Sequence, residues 1–384
     1  MREGWMTVRV RDFCTITKGT TPTLKAVPGP YPLVVTGEEF ASSADYQLEG
    51  EAVCVPLVSS TGHGHASLKR VHYASGKFAV ANIIAAVQVK DSARYSTKYL
   101  HLVLSHFRNE LLVSRMKGTA NVSLSISAIA DVEVALPPIS EQRRIVDLIA
   151  AVDDAIEAAA EERRAATESL VAISESLWDV PERAQIRTLG DLFTGETPAS
   201  SNPANWTPED VPFITPGDVD RLGTEVQSTS RKVSTSAAKA SKRTLRGHAV
   251  LQVCIGATIG KVGTHHGEAL YNQQINAVSL GTRFDAVFLA SAMSSPTFQS
   301  RLKGRAGKTT MPIVSKSAWG VMEVPWPGHE RRNSVGSSLE SHKSMLQSAE
   351  TTVSALRALR AELLTACLSG DHEIPASYDA LLEA

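Results

Sequence analysis

Two stretches of the chain carry apolar residues at alternating steps of four and three positions. The first such seam consists of Ile145, Ile149, Val152, Ile156, Ala159, Arg163, Ala166, Leu170, Ile173 and Leu177. Adding 190 to each number gives the second seam: Val335, Leu339, His342, Leu346, Ala349, Val353, Leu356, Arg360, Leu363 and Cys367. Counting Ala and Cys, nine and eight of the ten positions are apolar. A sustained spacing of 3.5 residues predicts two long helices, each packed against another helix.

Each predicted helix follows a segment of similar length, and the two segments share several phrases. Short β-branched runs with Gly and Pro punctuation predict strands, and Lys98–Lys117 and Ala286–Leu302 have helical spacing. The matching phrases are Val8–Phe13 with Ile186–Leu192, Tyr31–Thr36 with Val211–Thr215, and Gly50–Val55 with Gly247–Val253. The sequence therefore predicts an internal repeat of two α+β globules, each with a mixed or strongly bent sheet.

The repeat divides the chain into five segments. We predict a first globule at 1–138, a central long helix at 139–180, a second globule at 186–327, a C-terminal long helix at 328–370 and a tail at 371–384. Prolines close each globule and precede each helix, since proline cannot continue a strand ladder or sit inside a helix.

The partner of each long helix is open to two interpretations. A helix that packs on its own globule usually shows a broader apolar face of period 3.6, so the narrow seams favour pairing of the two helices with each other. We expect an antiparallel pair, although a parallel pair is possible if the second globule returns the chain. Arg163 and Arg360 interrupt the seams, where they could extend their charged ends outward or meet acidic groups of an added partner.

Bulk composition indicates an ordinary globular protein. The 384 residues are 43% hydrophobic and 21% charged, which allows two or three domains with proper cores. Four scattered cysteines without a CxxC pair suggest a reducing compartment. The start of the chain has no apolar signal-like region, and no stretch approaches the length of a membrane span. We expect a cytoplasmic protein that does not bind membranes.

The net charge of −1 conceals an alternation along the chain. Residues 1–138 carry +3, residues 139–185 carry −6, residues 186–327 carry +5 and residues 328–384 carry −3. A polyanion would be attracted to the two globules and repelled by the helices. The asymmetry is modest, so it is equally compatible with solvated surfaces.

Two phosphate-binding motifs are incomplete. The segment Gly304–Thr310 resembles the end of a P-loop, but position 302 is Leu instead of Gly, and Pro312 prevents the helix that must follow. In Gly256–Val262 the spacer is one residue short and Val262 replaces the hydroxyl that would bind Mg²⁺. We expect no nucleotide site at either place.

No other motif makes a case for an enzyme or a metal site. His63 and His65, and likewise His265 and His266, lack accompanying Cys, Asp or Glu at ligand spacing. We interpret these histidines as loop residues near a surface that binds a polyanion. No nucleophile elbow, cofactor turn or carboxylate–lysine nuclease cluster is recognisable, so we predict a chain without catalytic residues, cofactors or metals of its own.

Basic residues are the remaining candidates for function. Long acid-free segments, such as Ser228–Gly267, bring Arg and Lys together with Gly, Ser and Thr, which suits contacts to phosphates and base edges. For any single lysine, a solvated surface position is the simpler interpretation. The predicted DNA-binding residues are Lys69, Arg70, Arg115, Lys117, Arg231, Lys232, Lys242, Arg243, Arg246, Lys261, Arg305 and Lys308.

The segment Leu136–Ile145, which reads LPPISEQRRI, precedes the first helix and is the most specific phrase of the chain. With the phrases Ile255–Val262 and Tyr271–Ile275, the closing Leu364–Gly370 and the order globule, helix, globule, helix, it resembles the specificity subunits of type I restriction–modification systems. The resemblance covers nearly the whole chain. The second copy departs from it at Pro325–Asn333, where an interaction made by the helix start is expected to be weaker.

The resemblance implies a non-catalytic subunit that recognises DNA sequence. Its two globules would be target recognition domains that read the two halves of a bipartite, asymmetric site in double-stranded DNA. The helices would form an antiparallel coiled coil that sets the unread spacer and docks modification subunits. S-adenosylmethionine, ATP and Mg²⁺ would bind only to partner subunits, namely the adenine-methylating modification subunits and the restriction subunits.

Two alternatives stay open at this stage. The chain could be the specificity subunit of a methylation-only or otherwise non-cleaving defence system, which neighbouring genes would reveal. It could instead be a coiled-coil tether with two protein-binding heads, although the acid-free basic segments of both globules argue against this. Measured DNA affinity would separate the tether from the DNA-reading subunit.

Overall fold

The computed structural model describes residues 4–61, 64–179, 185–192, 206–240, 244–307 and 311–382. It divides into two compact units. Unit 1 comprises residues 1–157 and 354–384, and unit 2 comprises residues 158–353. Because the boundaries fall inside the two long helices, each unit contains one globule and a part of both helices.

In its described residues, the globule of unit 1 contains ten short strands and four short helices. Its strands are β1 (Met6–Arg9), β2 (Cys14–Lys18), β3 (Tyr31–Val34), β4 (Ala41–Ser43), β5 (Leu48–Glu49), β6 (Ala52–Pro56), β7 (His72–Ala74), β8 (Lys77–Val80), β9 (Ile84–Val89) and β10 (Glu133–Leu136). Its helices are α1 (Val10–Phe13), α2 (Thr97–His106), α3 (Arg108–Leu111) and α4 (Ile126–Ala130), with 3₁₀ turns at Thr23–Lys25 and Val113–Arg115.

The long helix α5 (Ile139–Ser176) leads into the globule of unit 2. The strands there are β11 (Ile186–Thr188), β12 (Trp206–Ile214), β13 (Lys232–Val233), β14 (His248–Val253), β15 (Val262–His266), β16 (Leu270–Tyr271), β17 (Ile275–Leu280) and β18 (Glu323–Pro325). The helices are α6 (Leu189–Leu192), α7 (Thr235–Ala240), α8 (Arg283–Ser294), α9 (Pro296–Arg305) and α10 (Lys316–Gly320). The second long helix is α11 (His329–Ser369), and the chain ends with a 3₁₀ turn at Ala376–Tyr378 and α12 (Asp379–Leu382).

The sheets of the two units repeat one plan. Unit 1 has sheets in the orders β2-β9-β6-β7 and β4-β3-β8-β5, and unit 2 has β15-β14-β17 and β13-β12-β16. Each unit also contains a two-stranded antiparallel ribbon, β1-β10 or β11-β18. The pairs β3-β8 and β12-β16 are parallel and the others are antiparallel. The prediction of two α+β globules with mixed sheets is therefore confirmed.

The two predicted helices within the globules are each interrupted. The helical spacing at Lys98–Lys117 corresponds to α2, α3 and a 3₁₀ turn, with Phe107 leaving the helical conformation between the first two. The spacing at Ala286–Leu302 is divided by Ser295, whose backbone is extended (ψ 149°). Proline disfavours a helical conformation in the residue before it, so Pro296 ends α8 and starts α9.

Seam residues of the long helices contribute to the buried core of both units. In unit 1, Ile145 and Ile149 of α5 share a core with Leu364 and Leu368 of α11. In unit 2, Leu170 and Leu177 share a core with Leu339 and Leu346, and α8 contributes Phe288. Residue numbers rise along α5 as they fall along α11 within each unit, so the helices pair antiparallel there, as predicted. Their seams also pack on the globules, so the alternative interpretation is correct for part of each helix.

The seam arginines meet acids of the facing helix. Arg360 binds Asp153 through both Nε and Nη2 in unit 1, and Nη1 of Arg163 lies 3.9 Å from Oε1 of Glu350 in unit 2. Neither prediction for these residues, an outward extension or an added partner, included this internal pairing. Within the described residues, no helix is both long enough and apolar enough to cross a membrane.

Candidate nucleic-acid interface

In unit 1, two loops that carry predicted DNA-binding residues join side by side. We name residues 57–61, 64–70 and 116–124 together loop pair 1. Leu124 N donates to Leu57 O (2.9 Å), Ser59 N donates to Val122 O (3.1 Å), and Val58 forms a β-bridge with Ser123. Because backbone hydrogen bonds connect the loops, they form a single surface feature.

Hydroxyl groups hold the first of these loops in shape. Ser59 Oγ accepts hydrogen bonds from the backbone N–H groups of Thr61 (3.4 Å) and Ser67 (3.2 Å), and Ser60 Oγ accepts one from Lys69 N (3.0 Å). Serine and threonine side chains commonly fix loops in this way. Lys69 is thereby placed on an ordered loop instead of a freely moving one.

The four basic residues predicted in unit 1 lie in or beside loop pair 1. Lys69 and Lys117 are exposed, and the backbone of Lys117 exchanges two hydrogen bonds with Ser123 (2.9 Å each). Arg70 pairs with the exposed Glu38 (2.8 Å), and Arg115 Nε donates to Leu111 O (3.0 Å). Lys69 and Lys117 therefore present their ammonium groups to solvent, while the two arginines have internal contacts.

Unit 2 contains the same arrangement. We name residues 254–261 with 306, 307 and 311–314 loop pair 2. Val314 N donates to Cys254 O (2.9 Å), Gly256 N donates to Pro312 O (2.9 Å), and Ile255 forms a β-bridge with Ile313. The bond from Val314 corresponds to the bond from Leu124 in loop pair 1, 190 residues earlier. The internal repeat thus extends to the way in which the loops are joined.

A glutamine side chain packs against Gly260 in loop pair 2. Gln299 of α9 donates through Nε2 to Gly260 O (2.8 Å) and Met293 O (2.7 Å). Gly260 has φ +92°, and a Cβ there would lie 2.3 Å from Gln299 Oε1. The positive φ favours glycine, because residues with a Cβ rarely adopt it, whereas the end of the Gln299 side chain could move aside. The glycines of Ile255–Val262 therefore serve a tight turn against α9. Gln299 is not among the residues predicted from the sequence, because only its position opposite the turn reveals its role.

The basic residues predicted in unit 2 are distributed over several places. Arg305 is exposed at the end of α9, next to loop pair 2. Lys261 lies in loop pair 2 but is half-buried, and its Nζ donates to Pro216 O (3.0 Å). Arg231 and Lys232 are exposed at the edge strand β13, and Arg246 is exposed just before β14. Lys242, Arg243 and Lys308 lie outside the described residues.

The interpretation of His265 and His266 as loop residues is wrong. Both belong to β15, where His265 pairs with Ala249 and His266 with His248 of β14. The His248 and His266 rings are stacked with centroids 4.2 Å apart. Burial lowers the pKa of His265 and of His248, so neither ring is positioned as a surface cation. His65 is exposed in loop pair 1, and His63 lies outside the described residues.

His248, His265 and His266 border a cavity between β14, β15 and α11 in unit 2. Its volume is about 200 Å³, and Arg283, Glu340 and Lys343 complete its polar lining. Arg283 forms an ion pair with Glu340, and Lys343 Nζ donates to Gly223 O (2.6 Å). These contacts connect the long helix to α8 and to the segment that contains Gly223. Among the described residues, no three His, Cys, Asp or Glu side chains are grouped as metal ligands would be.

Comparison with known proteins identifies the repeated unit. The family model described as "Type I restriction modification DNA specificity domain" matches residues 2–166 and again residues 181–329. A putative type I specificity subunit of Mycoplasma pneumoniae is 28% identical over 154 residues, which are 38% of this chain and 47% of that protein. The type I restriction enzyme HindI specificity subunit of Haemophilus influenzae is 28% identical over 150 residues, which are 39% of this chain and 32% of that protein.

These curated relatives are thus matched over half of their length or less. A solved structure covers more of the chain. The crystal structure of a type I restriction–modification S subunit from M. genitalium has a TM-score of 0.62, covers 97% of both chains and is 14% identical in sequence. At that identity the likeness shows a common fold. Because the family model matches most of the chain in two copies, the chain belongs to the family of type I restriction–modification DNA specificity domains and contains two of them in tandem.

Proposed function

We propose that the chain is the non-catalytic DNA sequence-recognition subunit of a type I restriction–modification complex. Each of its two specificity domains reads one half of a bipartite, asymmetric site in double-stranded DNA. The long helices determine the unread spacer and dock the modification subunits. The observation that carries the proposal is the presence of two family domains that contain the same hydrogen-bonded loop pair with different side chains displayed on it.

The loop pairs support this role through their construction. The backbone bonds that join the loops recur in the two units of this chain, while the exposed basic residues differ. They are Lys69 and Lys117 on loop pair 1, and Arg305 beside loop pair 2. A fixed frame with different polar side chains is what two readers of different half-sites need, because base edges are distinguished by the hydrogen-bonding groups presented to them.

The partners and cofactors follow from the same role. The named relatives are specificity subunits, and by analogy the modification subunits would supply S-adenosylmethionine binding and adenine methylation. Restriction subunits would supply ATP- and Mg²⁺-dependent translocation and cleavage. We also propose a cytoplasmic location. All four cysteines lie in described parts of the chain and are buried free thiols, which supports a reducing compartment.

The decisive experiment is co-expression of the chain with its candidate modification subunit, followed by mapping of methylated bases in the DNA of the host cells. A single bipartite motif with methylated adenines is expected, and it would give both half-sites and the spacer. A stable complex that methylates nothing, and that binds DNA no better than the modification subunit alone, would contradict the proposal. It would favour the coiled-coil tether.

The contribution of the loop pairs can be measured on the same complex. Arg305→Gln and Lys117→Gln should each weaken DNA binding and lower the slope of log Kd against log salt by about 1 for each phosphate that is no longer neutralised. Lys98→Gln is the matched control, because Lys98 is an exposed lysine on α2 outside the loop pairs. If all three variants show the wild-type affinity and slope, the loop pairs do not contact the DNA backbone.

A further inference from the structure

The loop between β2 and β3 in unit 1 holds two aliphatic side chains in water. Leu24, in the 3₁₀ turn Thr23–Lys25, is 100% exposed, and Val27 is 67% exposed. Single exposed apolar residues are ordinary on protein surfaces. A fully exposed leucine three residues from an exposed valine is worth explaining when the loop that carries them is firmly held.

Several contacts fix this loop in place. Lys25 N donates to Pro22 O (3.0 Å), and Ala44 N donates to Val27 O (2.7 Å). Gly29 packs so closely on the next segment that a Cβ there would lie 2.4 Å from the Ala44 Cα. Prolines at positions 22, 28 and 30 restrict the backbone further. The exposure of Leu24 is therefore a property of an ordered loop.

The base of the loop is held by a glutamine side chain. Gln47 accepts a hydrogen bond from Thr20 N through Oε1 (3.0 Å) and donates one to Lys18 O through Nε2 (2.8 Å). These bonds tie the start of the loop to the segment before β5. Because the loop is already ordered in the folded protein, little conformational entropy is lost when Leu24 binds a partner. This favours tight binding.

The loop starts beside loop pair 1. Thr21 O accepts a hydrogen bond from Asn82 N (3.0 Å), and the neighbouring Ile83 O accepts one from Leu57 N (2.8 Å) of loop pair 1. Lys18 at the end of β2 lines a cavity of about 530 Å³ together with Val58 and Ser123 of that loop pair. The apolar loop and the basic loops therefore leave the same end of the sheet.

The charge around Leu24 favours a polyanionic partner. Residues 13–37 contain Lys18 and Lys25 but no Asp or Glu, and both lysines are exposed. An apolar side chain flanked by positive charge fits duplex DNA, where phosphates lie beside the apolar faces and methyl groups of the bases. Proteins commonly press Leu, Ile, Phe or Met against base pairs in this way. A loop that combines an exposed leucine with two lysines and no acid of its own therefore suits duplex DNA, which offers phosphates and apolar base contacts together.

We propose that Leu24 is a DNA-contacting residue that packs against base pairs of the half-site read by unit 1, with Lys25 beside it at the phosphates. This inference rests on the proposed function. It adds an apolar contact to the charged ones of loop pair 1, and an apolar contact can discriminate base sequence without contributing to the salt dependence of binding.

The test compares Leu24→Ser with the wild-type chain in complex with modification subunits, on DNA that contains the mapped site. Because Leu24 is fully exposed, thermal unfolding should be unchanged. The affinity for the site should fall about tenfold or more, while the slope of log Kd against log salt stays the same. Leu24→Met keeps an apolar side chain and should retain most of the affinity. Met6→Ser, a change at an exposed apolar residue of β1, is the matched control and should bind as the wild type does.

Two outcomes would overturn the inference. Equal affinity of Leu24→Ser and wild type for the site would show that Leu24 does not contact DNA. Loss of modification subunits from the Leu24→Ser complex, with the DNA affinity of the variant chain unchanged, would assign the loop to a protein partner. Failure of the wild-type complex to bind the site would instead refute the proposed function, so the two failures are distinguishable.

Discussion

The long helices α5 and α11 begin at equivalent positions of the repeat, yet different side chains attach them to the preceding domains. In unit 1, the buried Gln142 donates to Pro137 O (2.8 Å) and Arg94 O (3.3 Å), and accepts from Ser96 N (2.8 Å). In unit 2, the residue 190 positions later is Arg332. It donates to Pro327 O, the counterpart of Pro137 O, and forms an ion pair with Asp285 (2.6 Å).

Gln142 and Arg332 both connect the start of a long helix to the start of a helix in the preceding domain. The first does so with neutral hydrogen bonds and the second with an ion pair. Ser96 caps the start of α2, and Asp285 lies in the first turn of α8. Arg332 also stacks over the Trp326 ring at 4.2 Å. The Arg332 and Asp285 side chains are only 12% and 8% exposed. A neutral amide can lose one partner at moderate cost, whereas a buried ion pair makes each residue dependent on the other. The departure of the second copy at Pro325–Asn333 thus replaces the attachment instead of removing it.

The largest expected effect is therefore in unit 2. Asp285→Ala leaves the Arg332 guanidinium buried without its counter-charge, and we expect the free energy of unfolding of unit 2 to fall by about 3–5 kcal/mol. Urea unfolding followed by tryptophan fluorescence measures it, because four of the five tryptophans lie in the sequence of unit 2. Adding Arg332→Gln to Asp285→Ala should recover part of the loss, since no orphaned charge remains. A loss below about 1 kcal/mol for Asp285→Ala would show that water or another group compensates Arg332.

The corresponding change in unit 1 should cost less. Gln142→Ala removes three neutral hydrogen bonds and leaves buried backbone groups without partners, for which we expect about 1–3 kcal/mol. Hydrogen exchange resolved by peptide, read on α2 and the start of α5, measures the loss in unit 1 alone. Gln142→Glu is a near-isosteric control. Its carboxylate cannot donate to Pro137 O or Arg94 O, so it should be destabilising at neutral pH, and less so at a pH where it is protonated. If Gln142→Ala costs as much as Asp285→Ala, the charge of the second attachment is not what matters.

This comparison also shows what the sequence could and could not predict. The spacing of the seams predicted both long helices and their mutual packing. A helix–helix contact requires apolar residues at regular short intervals, and such a pattern is visible in the local sequence. The phrase Leu136–Ile145 marked the start of α5 as special. Besides the nearby carbonyls of Pro137 and Pro327, the partners of Gln142 and Arg332 lie 46 to 48 residues away and meet them only through the fold. No local sequence pattern predicts that the Asp285 carboxylate neutralises the buried charge of Arg332.

The candidate site shows the same division. Composition and glycine content predicted the loops that carry Lys69 and Lys117, and the loop that follows Arg305 at the end of α9. The backbone bonds that join them pairwise connect segments more than fifty residues apart, and the sequence did not predict them. His265 and His266 were interpreted as loop residues, since no Cys, Asp or Glu accompanies them at ligand spacing. Pairing of β15 with β14 places both residues in a strand and buries His265. This is a tertiary effect that the local sequence does not predict.

At one more pair of equivalent repeat positions, we expect the stability of the two units to depend differently on pH. Lys343 of α11 corresponds to Asp153 of α5, which is partly exposed. Lys343 is buried, and burial lowers its pKa to about 8, although Asp220 and Glu340 oppose the shift. Below pH 8 the lysine is protonated in both folded and unfolded chains, and the cost of its burial is fully present. Between pH 8 and 10.5 the folded chain releases the proton first, so stability should rise with pH.

The rise can be isolated with Lys343→Met. Urea unfolding of unit 2 at pH 7 and pH 9.5 should show a gain of up to about 2 kcal/mol in the wild type, relative to the change in the variant. The methionine keeps a side chain of similar length in the same place and has no proton to release. Parallel pH dependences of the two proteins would mean that Lys343 titrates as it would in water, and that the burial of its charge carries no cost.

The smallest expected effects concern the seam arginines, and they rank the two units in the opposite order. Arg360 binds Asp153 through two nitrogens, with Nη2 2.8 Å from Oδ2, and these bonds raise the pKa of Arg360 further. Arg163 and Glu350 make a single 3.9 Å contact, and their side chains are 43% and 63% exposed. Exposed pairs contribute at most about 1 kcal/mol, and the contribution depends on geometry and salt.

Double-mutant cycles to alanine therefore should give a coupling energy of about 0.5–1 kcal/mol for Arg360 with Asp153. For Arg163 with Glu350 the coupling should be close to zero. At 1 M salt the first value should fall toward the second, because screening acts on exposed charges. Equal couplings at low salt would mean that the two-nitrogen geometry adds nothing in water. The polarity of the seams would then be a matter of solubility and of excluding wrong partners, and the apolar positions alone would hold the helices together.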